Sequence, residues 1–278
     1  MNKLKIFLIL ILLIITIFLY AMYIGTNGLN TKEYTIYEDK LPPSYNGLKI
    51  VHFSDLHYGN LINKKRLEKI VKEINLIKPD IVVFTGDLLD NTTYKEKEKN
   101  NLIENLKNIK TKYGKYAILG NHDYEKDTNM IKEILTNSDF FVLINSYDII
   151  TNENNDKIFL GGLDDYLLSN PDTDKTLSYL KDNNLYSIIL VHEPDYTTNI
   201  LNYKDDINLI LAGHSHNGQV RLPIIGAIYT PNGAKKYYDN HYKINNTNLY
   251  ISSGIGNSKL DIRLFNHPSI NFYRINSK

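Results

Sequence analysis

Five short polar clusters in this 278-residue chain each follow an apolar run. Ser54-Asp55-Leu56-His57 follows residues 48–53 (LKIVHF), and Thr85-Gly86-Asp87 follows residues 81–84. Gly120-Asn121-His122-Asp123 follows residues 116–119, His192-Glu193-Pro194 follows residues 187–191, and Gly213-His214-Ser215-His216 follows residues 207–212. Short apolar runs bounded by turn residues read as buried strands. In open α/β sheets, ligands gather outside the carboxyl ends of the strands. Asp55 and His57 are two positions apart, as are His214 and His216. On an extended backbone such a pair points to one side, and a carboxylate beside an imidazole is half of a metal site. Gly86 lets the backbone turn closely, so that Asp87 projects from its strand end. Each cluster alone is weak, since a Gly-Asp pair is usually a turn. Five in sequence, each at a strand end, form a set that chance does not assemble.

The elements that must position these residues alternate. Residues 64–77 carry Leu67, Ile70, Val71, Ile74 and Ile77 at helical spacing, and Pro79 ends that run. Residues 95–109 repeat the pattern with Leu102, Ile103, Leu106 and Ile109, and residues 128–135 and 173–181 also read as helices. Further strands are expected at 140–143, 147–150, 158–161, 249–252 and 271–275. Strands alternating with helices predict an α/β sheet with helices on its faces. The crowding of strands after residue 138 predicts a second sheet.

Residues 6–24 carry no charge, and only Thr16 is distinctly polar. As a helix this segment reaches ~29 Å, close to the ~30 Å hydrocarbon thickness of a bilayer. Tyr20 and Tyr23 stand near its far end, where interfacial aromatics are favoured. A cleaved signal peptide needs small residues before the cut, and Tyr20-Ala21-Met22-Tyr23 matches that poorly. The segment therefore reads as a retained transmembrane anchor, residues 1–24. Lys3 and Lys5 precede it, which favours a catalytic domain on the extracytoplasmic side of the cell membrane. Residues 25–33, with Gly28 and two Asn, read as a linker, and residues 34–278 as one domain of ordinary size. The absence of cysteine excludes disulfides, a Cys-based zinc site, a cysteine nucleophile and a lipid-modified cysteine. A formal net charge of +1 argues against nucleic acid as a partner, so affinity for phosphate must be local.

In order, SDLH, GD, GNHD, HE and GHSH resemble the motifs of the calcineurin-like metallophosphoesterase superfamily, and the resemblance runs from about residue 48 to the end. GDLLD, NGQVRLP and RLFNHPSI further resemble its membrane-associated bacterial branch of phosphodiesterases and lipid-nucleotide pyrophosphatases. The resemblance implies a four-layer αββα fold, a two-sheet β-sandwich flanked by helices. It also implies two divalent metal ions, one held by Asp55, His57, Asp87 and His216, the other by Asp87, Asn121, His192 and His214. Asp87 would bridge them, at the ~3.5–4 Å spacing of two-metal hydrolases. Carboxylate, amide and imidazole ligands suit Mn²⁺, Fe or Zn²⁺ better than Ca²⁺. Such a centre makes a water nucleophilic near neutral pH and neutralises charge on the phosphoryl oxygens.

His122 is then expected as general acid or as a donor to the phosphate, and Asp123 as the carboxylate that orients it. Arg221 is a candidate contact to substrate phosphate, with a salt bridge to a nearby carboxylate as the alternative. His52 reads as a packed structural histidine, and His241 and His267 as surface residues. Tyr229, Tyr237 and Tyr238 read as ordinary tyrosines, with an apolar rim as the sharper alternative. The expected function is hydrolysis of a phosphodiester or phosphoanhydride at a membrane, in a phosphorylated small molecule, a lipid-linked substrate or an envelope polymer. The rival readings are a metal-binding scaffold without turnover, and a nuclease, which requires a basic groove with stacking aromatics.

Overall fold

Alternation along a few strands decides the layering. In β2 (Leu48–Phe53) and β3 (Ile81–Thr85), Ile50, Ile81 and Val83 face one way, and Val51, Phe53, Val82 and Phe84 the other; all are buried. In β8 (Tyr186–Val191) and β9 (Leu209–Ala212), Ile188, Leu190, Leu209 and Leu211 share a layer with the first set, while Ile189, Val191 and Ile210 face away from it. Strands apolar on both faces must lie between two other layers, and that produces a sandwich with helices outside.

The computed structural model describes residues 3–59, 61–90, 96–125 and 127–278. The first sheet adds β1 (Asn30–Glu38), β4 (Gly114–Ile118), β5 (Phe140–Val142) and β14 (Ser269–Ser277), in the order β1-β14-β2-β3-β4-β5. β2 through β5 run parallel, and β14 lies antiparallel to β2 and parallel to β1. Helices α2 (Lys64–Ile77), α3 (Glu96–Lys107) and α5 (Thr128–Asn137) cover its outer face through Leu67, Ile74, Leu102 and Ile131. The second sheet adds β6 (Ser146–Thr151), β7 (Lys157–Gly162), β12 (His241–Ile244) and β13 (Thr247–Ile251), in the order β12-β13-β9-β8-β7-β6. Its outer face carries α6 (Thr173–Leu177) and α7 (Thr197–Tyr203). Between them, α4 (Asn121–Tyr124) is a single turn after β4, and β10 (Arg221–Leu222) and β11 (Gly226–Ala227) form a small hairpin.

The helix expected at 95–109 is observed as α3, with Lys95 outside the described residues. The helix expected at 173–181 changes after Leu177 to a short 3₁₀ segment, Ser178–Lys181. The segment read as a linker, 25–33, is in part strand. β1 begins at Asn30, and its residues pair in register with β14 from Asn30↔Ser269 to Glu38↔Ser277. It is an edge strand whose polar residues, Lys32, Glu33 and Thr35 among them, obscure the strand pattern, although Tyr34 and Ile36 pack into the core between the sheets.

α1 (Lys3–Tyr23) is long and apolar enough to cross a membrane, and only Ala21 on it is buried. The core between the sheets is the stabilising mass. Ile188→Ala should cost about 2–5 kcal/mol, because its site cannot collapse between two sheets. The exposed Leu76→Ala on α2 should stay within about 0.5 kcal/mol of wild type. Urea unfolding of the full chain in detergent reads both, and equal losses would sink the two-sheet account of the core.

Candidate metal centre

The parallel strands β2, β3 and β4 of one sheet, and β8 and β9 of the other, bring the five polar clusters to one place. Asp55, His57 and His216 hold ligand-type atoms within 4.8 Å of one another, as do Asp87, His192 and His214. His57, Asp87 and His122 form a third such group. Nearly all of this is buried: Asp55 and His192 are fully covered, and His57, Asp87 and His216 almost so.

The local backbone differs from the extended geometry that the two-residue spacing suggests. Asp55 (φ 51°), His57 (φ 43°), Asp87 (φ 60°), His214 (φ 63°) and His216 (φ 48°) all lie in the left-handed region. The strands end two residues before Asp55, Asp87 and His214 and four before His57 and His216, so the clusters are turns. Asp and His enter this region more readily than most residues, but five together store strain of order 1–3 kcal/mol each. Hydrogen bonds between neighbouring turns hold them: Asp55 N–H donates to the Gly86 carbonyl at 2.9 Å, and His57 N–H to the Asp87 carbonyl at 3.1 Å. Gly86 (φ 93°) permits the approach, since a Cβ there would lie 2.5 Å from the Gly120 nitrogen.

Hydrogen bonds also set which ring nitrogens face inward. His192 Nδ1 donates to the Thr85 carbonyl at 2.6 Å and turns Nε2 toward Asp87 Oδ2, 3.3 Å away. His57 Nε2 approaches the same oxygen at 3.7 Å. Both Nε2 atoms are buried without a hydrogen-bond partner. His214 Nε2 donates to the Asn232 carbonyl at 2.7 Å, which leaves Nδ1 facing Asn121 Oδ1 at 2.9 Å. With its proton on Nε2, a neutral His214 presents a lone pair to another acceptor. A cation held by both His214 Nδ1 and Asn121 Oδ1 would relieve that contact. His216 Nε2 stands 3.5 Å from Asp55 Oδ1.

Electrostatics agree. Burial pushes His57 down to about 4 and His214 to about 3, and drives His216 well below the imidazole range. Burial opposes both charges of the Asp87–His192 pair, yet their attraction holds Asp87 well below the carboxylate range and His192 well above the imidazole range. Burial, set against the nearby His192 charge, lifts Asp55 to about 6. Neutral imidazoles at His57, His214 and His216 beside buried carboxylates, with the unpartnered Nε2 atoms of His57 and His192 turned inward, fit a divalent metal centre, whose binding would take the place of the proton on His192.

Two expectations need correction or sharpening. Asp123 does not orient His122. It is fully buried, and its carboxylate accepts the backbone N–H groups of Asp87 (2.8 Å), Leu88 (2.8 Å) and Gly120 (2.9 Å). The α4 turn aims it inward, where it shapes the Asp87 loop; burial, aided by the Asp87 charge, raises it to about 7. The carboxylate beside His122 is Glu125, with Oε2 at 3.4 Å from Nδ1. Their i, i+3 spacing on one helical turn was a sequence signal for that contact. Arg221 is engaged by Asp239 (2.6 Å) and by the Asn217 carbonyl (2.8 Å), the salt bridge rather than the phosphate contact.

His52 is buried between Thr85 Oγ1 (2.8 Å) and the Tyr273 hydroxyl (3.3 Å), as a packed histidine should be. His241 is exposed and stacks on Tyr250. Sequence reasoning missed Arg263. This fully buried side chain approaches His216 Nδ1 at 3.2 Å and donates to the carbonyls of Ser253 and Gly256. Nothing local to a lone arginine near the chain's end signals that reach.

A cavity of about 790 Å³ opens over the cluster, with Asp87, Asn121, His122 and His214 at its floor and Leu167, Val220, Ile228, Leu260 and Ile262 among its walls. Asp123→Ala should destabilise the metal-free protein by roughly 3 kcal/mol or more, because three buried donors lose their acceptor at about 1–3 kcal/mol each. Asp123→Asn should lose less, keeping a carbonyl oxygen. Thermal unfolding in chelator reads the difference, and an Asp123→Ala protein as stable as wild type would remove this role.

The calcineurin-like phosphoesterase family model matches residues 48–218. The chain is 37% identical over 260 residues to the metallophosphoesterase YkuE of Bacillus subtilis, covering 93% of this chain and 89% of that protein. It is 31% identical to a transmembrane protein with metallophosphoesterase domain of Danio rerio, over 84% of this chain and 54% of that one. Among solved structures, the Haemophilus influenzae NAD nucleotidase superposes with a TM-score of 0.52 at 17% identity, over 75% of this chain and 45% of that chain, a likeness of fold. With its two sheets, its clustered Asp and His side chains and this family match, the chain belongs to the calcineurin-like phosphoesterase family and is a metal-dependent phosphohydrolase.

Proposed function

We propose that the chain hydrolyses a phosphodiester or phosphoanhydride bond at two divalent cations, on a phosphorylated small molecule or lipid-linked substrate at a membrane surface. The observation that carries the two-cation reading is Asp87 Oδ2, which stands between the buried Nε2 atoms of His57 and His192. Asp55, His57 and His216 would hold one cation with Asp87; Asn121, His192 and His214 would hold the other with Asp87. The pair supplies a water activated near neutral pH and compensation for phosphoryl charge.

The chain's own groups do the rest. The His122 backbone N–H donates to Asp87 Oδ1 at 2.9 Å and fixes the rotation of that carboxylate. The His122 imidazole is partly exposed on the cavity floor, where it can hand a proton to the departing oxygen, with Glu125 to restore it. The apolar walls accept a greasy or planar group attached to the phosphate. α1 is read as a single span, residues 1–24 being the anchor and 34–278 the hydrolase domain. Lys3 and Lys5 favour the extracytoplasmic side for that domain.

The full chain, purified in detergent and reloaded with Mn²⁺, should hold two metal equivalents and cleave a chromogenic phosphodiester. Asp87→Asn should weaken metal binding by roughly tenfold or more, since even residues that only support a ligand cost 10–100-fold. His122→Ala should keep both metals and lower kcat about 10²–10⁴-fold. Metal content by mass spectrometry beside turnover separates the two. One equivalent in the wild type would end the two-cation reading, and undiminished turnover in His122→Ala would end its role as proton donor.

A further inference from the structure

The far end of α1 is fixed to the body. The Ala21 carbonyl accepts the Arg263 backbone N–H at 3.0 Å, and the Thr26 carbonyl accepts the Arg66 guanidinium at 2.6 Å. Gly25 sits so close that a Cβ would lie 1.8 Å from the Arg263 carbonyl oxygen. Residues 3–19 of α1 are exposed throughout. Where a bilayer ends along α1 is therefore tied to residues 258–265, the segment that carries Arg263.

That segment is also a wall of the cavity, through Ser258, Lys259, Leu260 and Ile262. Beside it lies the β10–β11 hairpin: Arg221 N–H donates to the Leu264 carbonyl at 2.9 Å, and Val220 bridges to Leu264. At the hairpin tip Ile224 is fully exposed and Ile225 is 71% exposed. Ile228, Leu260 and Phe265 each expose more than half of their surface. Ile224 also holds φ at 71°, an uncommon state that costs a β-branched residue about 1–3 kcal/mol. Holding a strained isoleucine out in water gains nothing, whereas holding it out into lipid does. At the edge of the patch, Tyr229 is exposed, its hydroxyl meets Lys259 Nζ at 3.0 Å, and the Lys259 and Lys235 ammonium groups sit 4.8 Å and 5.2 Å from its ring. Tyrosine flanked by lysines is the composition of the lipid headgroup level, and Tyr20 and Tyr23 place further tyrosines at the end of α1.

We propose that this rim docks into the lipid leaflet around the end of α1. The hairpin tip, Leu260 and Phe265 enter the acyl boundary, and Tyr229, Lys235 and Lys259 lie among the phosphates. The proposal rests on α1 crossing a bilayer; its committed occupant is that bilayer, because the patch is continuous with the point where α1 leaves it. The cavity then opens at the depth of lipid phosphates, which deepens the reading of a membrane-surface phosphoesterase.

The chain contains no tryptophan, so each one introduced is the sole such fluorophore. Full-length Ile225→Trp, Phe265→Trp, Phe7→Trp and Leu76→Trp would be reconstituted in phosphatidylcholine–phosphatidylglycerol vesicles with and without bromine on the acyl chains. Insertion to the ~5–10 Å depth of interfacial elements should quench Ile225→Trp and Phe265→Trp about twofold. Phe7→Trp reports the span of α1, and Leu76→Trp, on the exposed side of α2, should stay unquenched. Quenching at Phe7 with none at 225 and 265 overturns the rim. Emission at 225 shifted to the blue but insensitive to bromine means that a second copy covers the patch, and also overturns it. No quenching at Phe7 removes the membrane itself. None of these readouts uses turnover, so failure of the hydrolase reading is seen separately, in the loss of Mn²⁺-dependent cleavage of a soluble phosphodiester.

Discussion

Three carboxylates are buried together at one end of the first sheet, and the structure around them is arranged to bear their charge. Asp87 raises the pKa of both Asp55 and Asp123 through simple repulsion, on top of burial. Backbone N–H groups answer all three: His214 N–H serves Asp55, His122 N–H serves Asp87, and the N–H groups of Asp87, Leu88 and Gly120 serve Asp123. Asp87 is answered also by imidazole, with His192 on one side and His57 on the other. A protein that concentrates anionic groups in this way, with few fixed cations among them, is built around mobile cations. Arg263, fully buried and directed at His216 and the 253–256 carbonyls, ties the last turns of the chain to the same cluster.

The left-handed turns follow from this requirement. A strand that continued straight would carry Asp55 and His57 past the cluster. Turning sharply after Phe53 and after Thr85 brings ligand atoms from three turns of the first sheet within reach of those from β8 and β9. The strain is distributed among residues that tolerate it and is opposed by the turn-to-turn hydrogen bonds. The sandwich core supplies the stability against which this strain is held.

Much of this was legible in the sequence, for a physical reason. β2, β3, β8 and β9 are apolar on both faces, so their runs stand out, and the polar residues that interrupt them stand out as well. What escaped reading lacked such contrast. β1 is a polar edge strand held by register with β14. The partners of His122 and Arg221 depended on side-chain direction, which spacing fixes only when the backbone conformation is known. Asp123 follows His122 in the chain, yet the α4 turn sends it into the core, while Glu125 comes back alongside the imidazole. Arg263 meets His216 across 47 residues of chain, and no local pattern encodes that.

The pairing of β1 with β14 also determines how the hydrolase would find its substrate. Between the end of α1 and the start of β1 lie residues 24–29, at most about 20 Å of chain, and Gly25 within them is packed against Arg263. There is no swinging arm. If α1 is held in a bilayer, the cavity keeps one height and one tilt above it, and its encounters become a two-dimensional search by lateral diffusion. Substrates free in solution then gain nothing from the attachment. Those confined to the same sheet of lipid are met at a rate set by their surface density rather than by their bulk concentration.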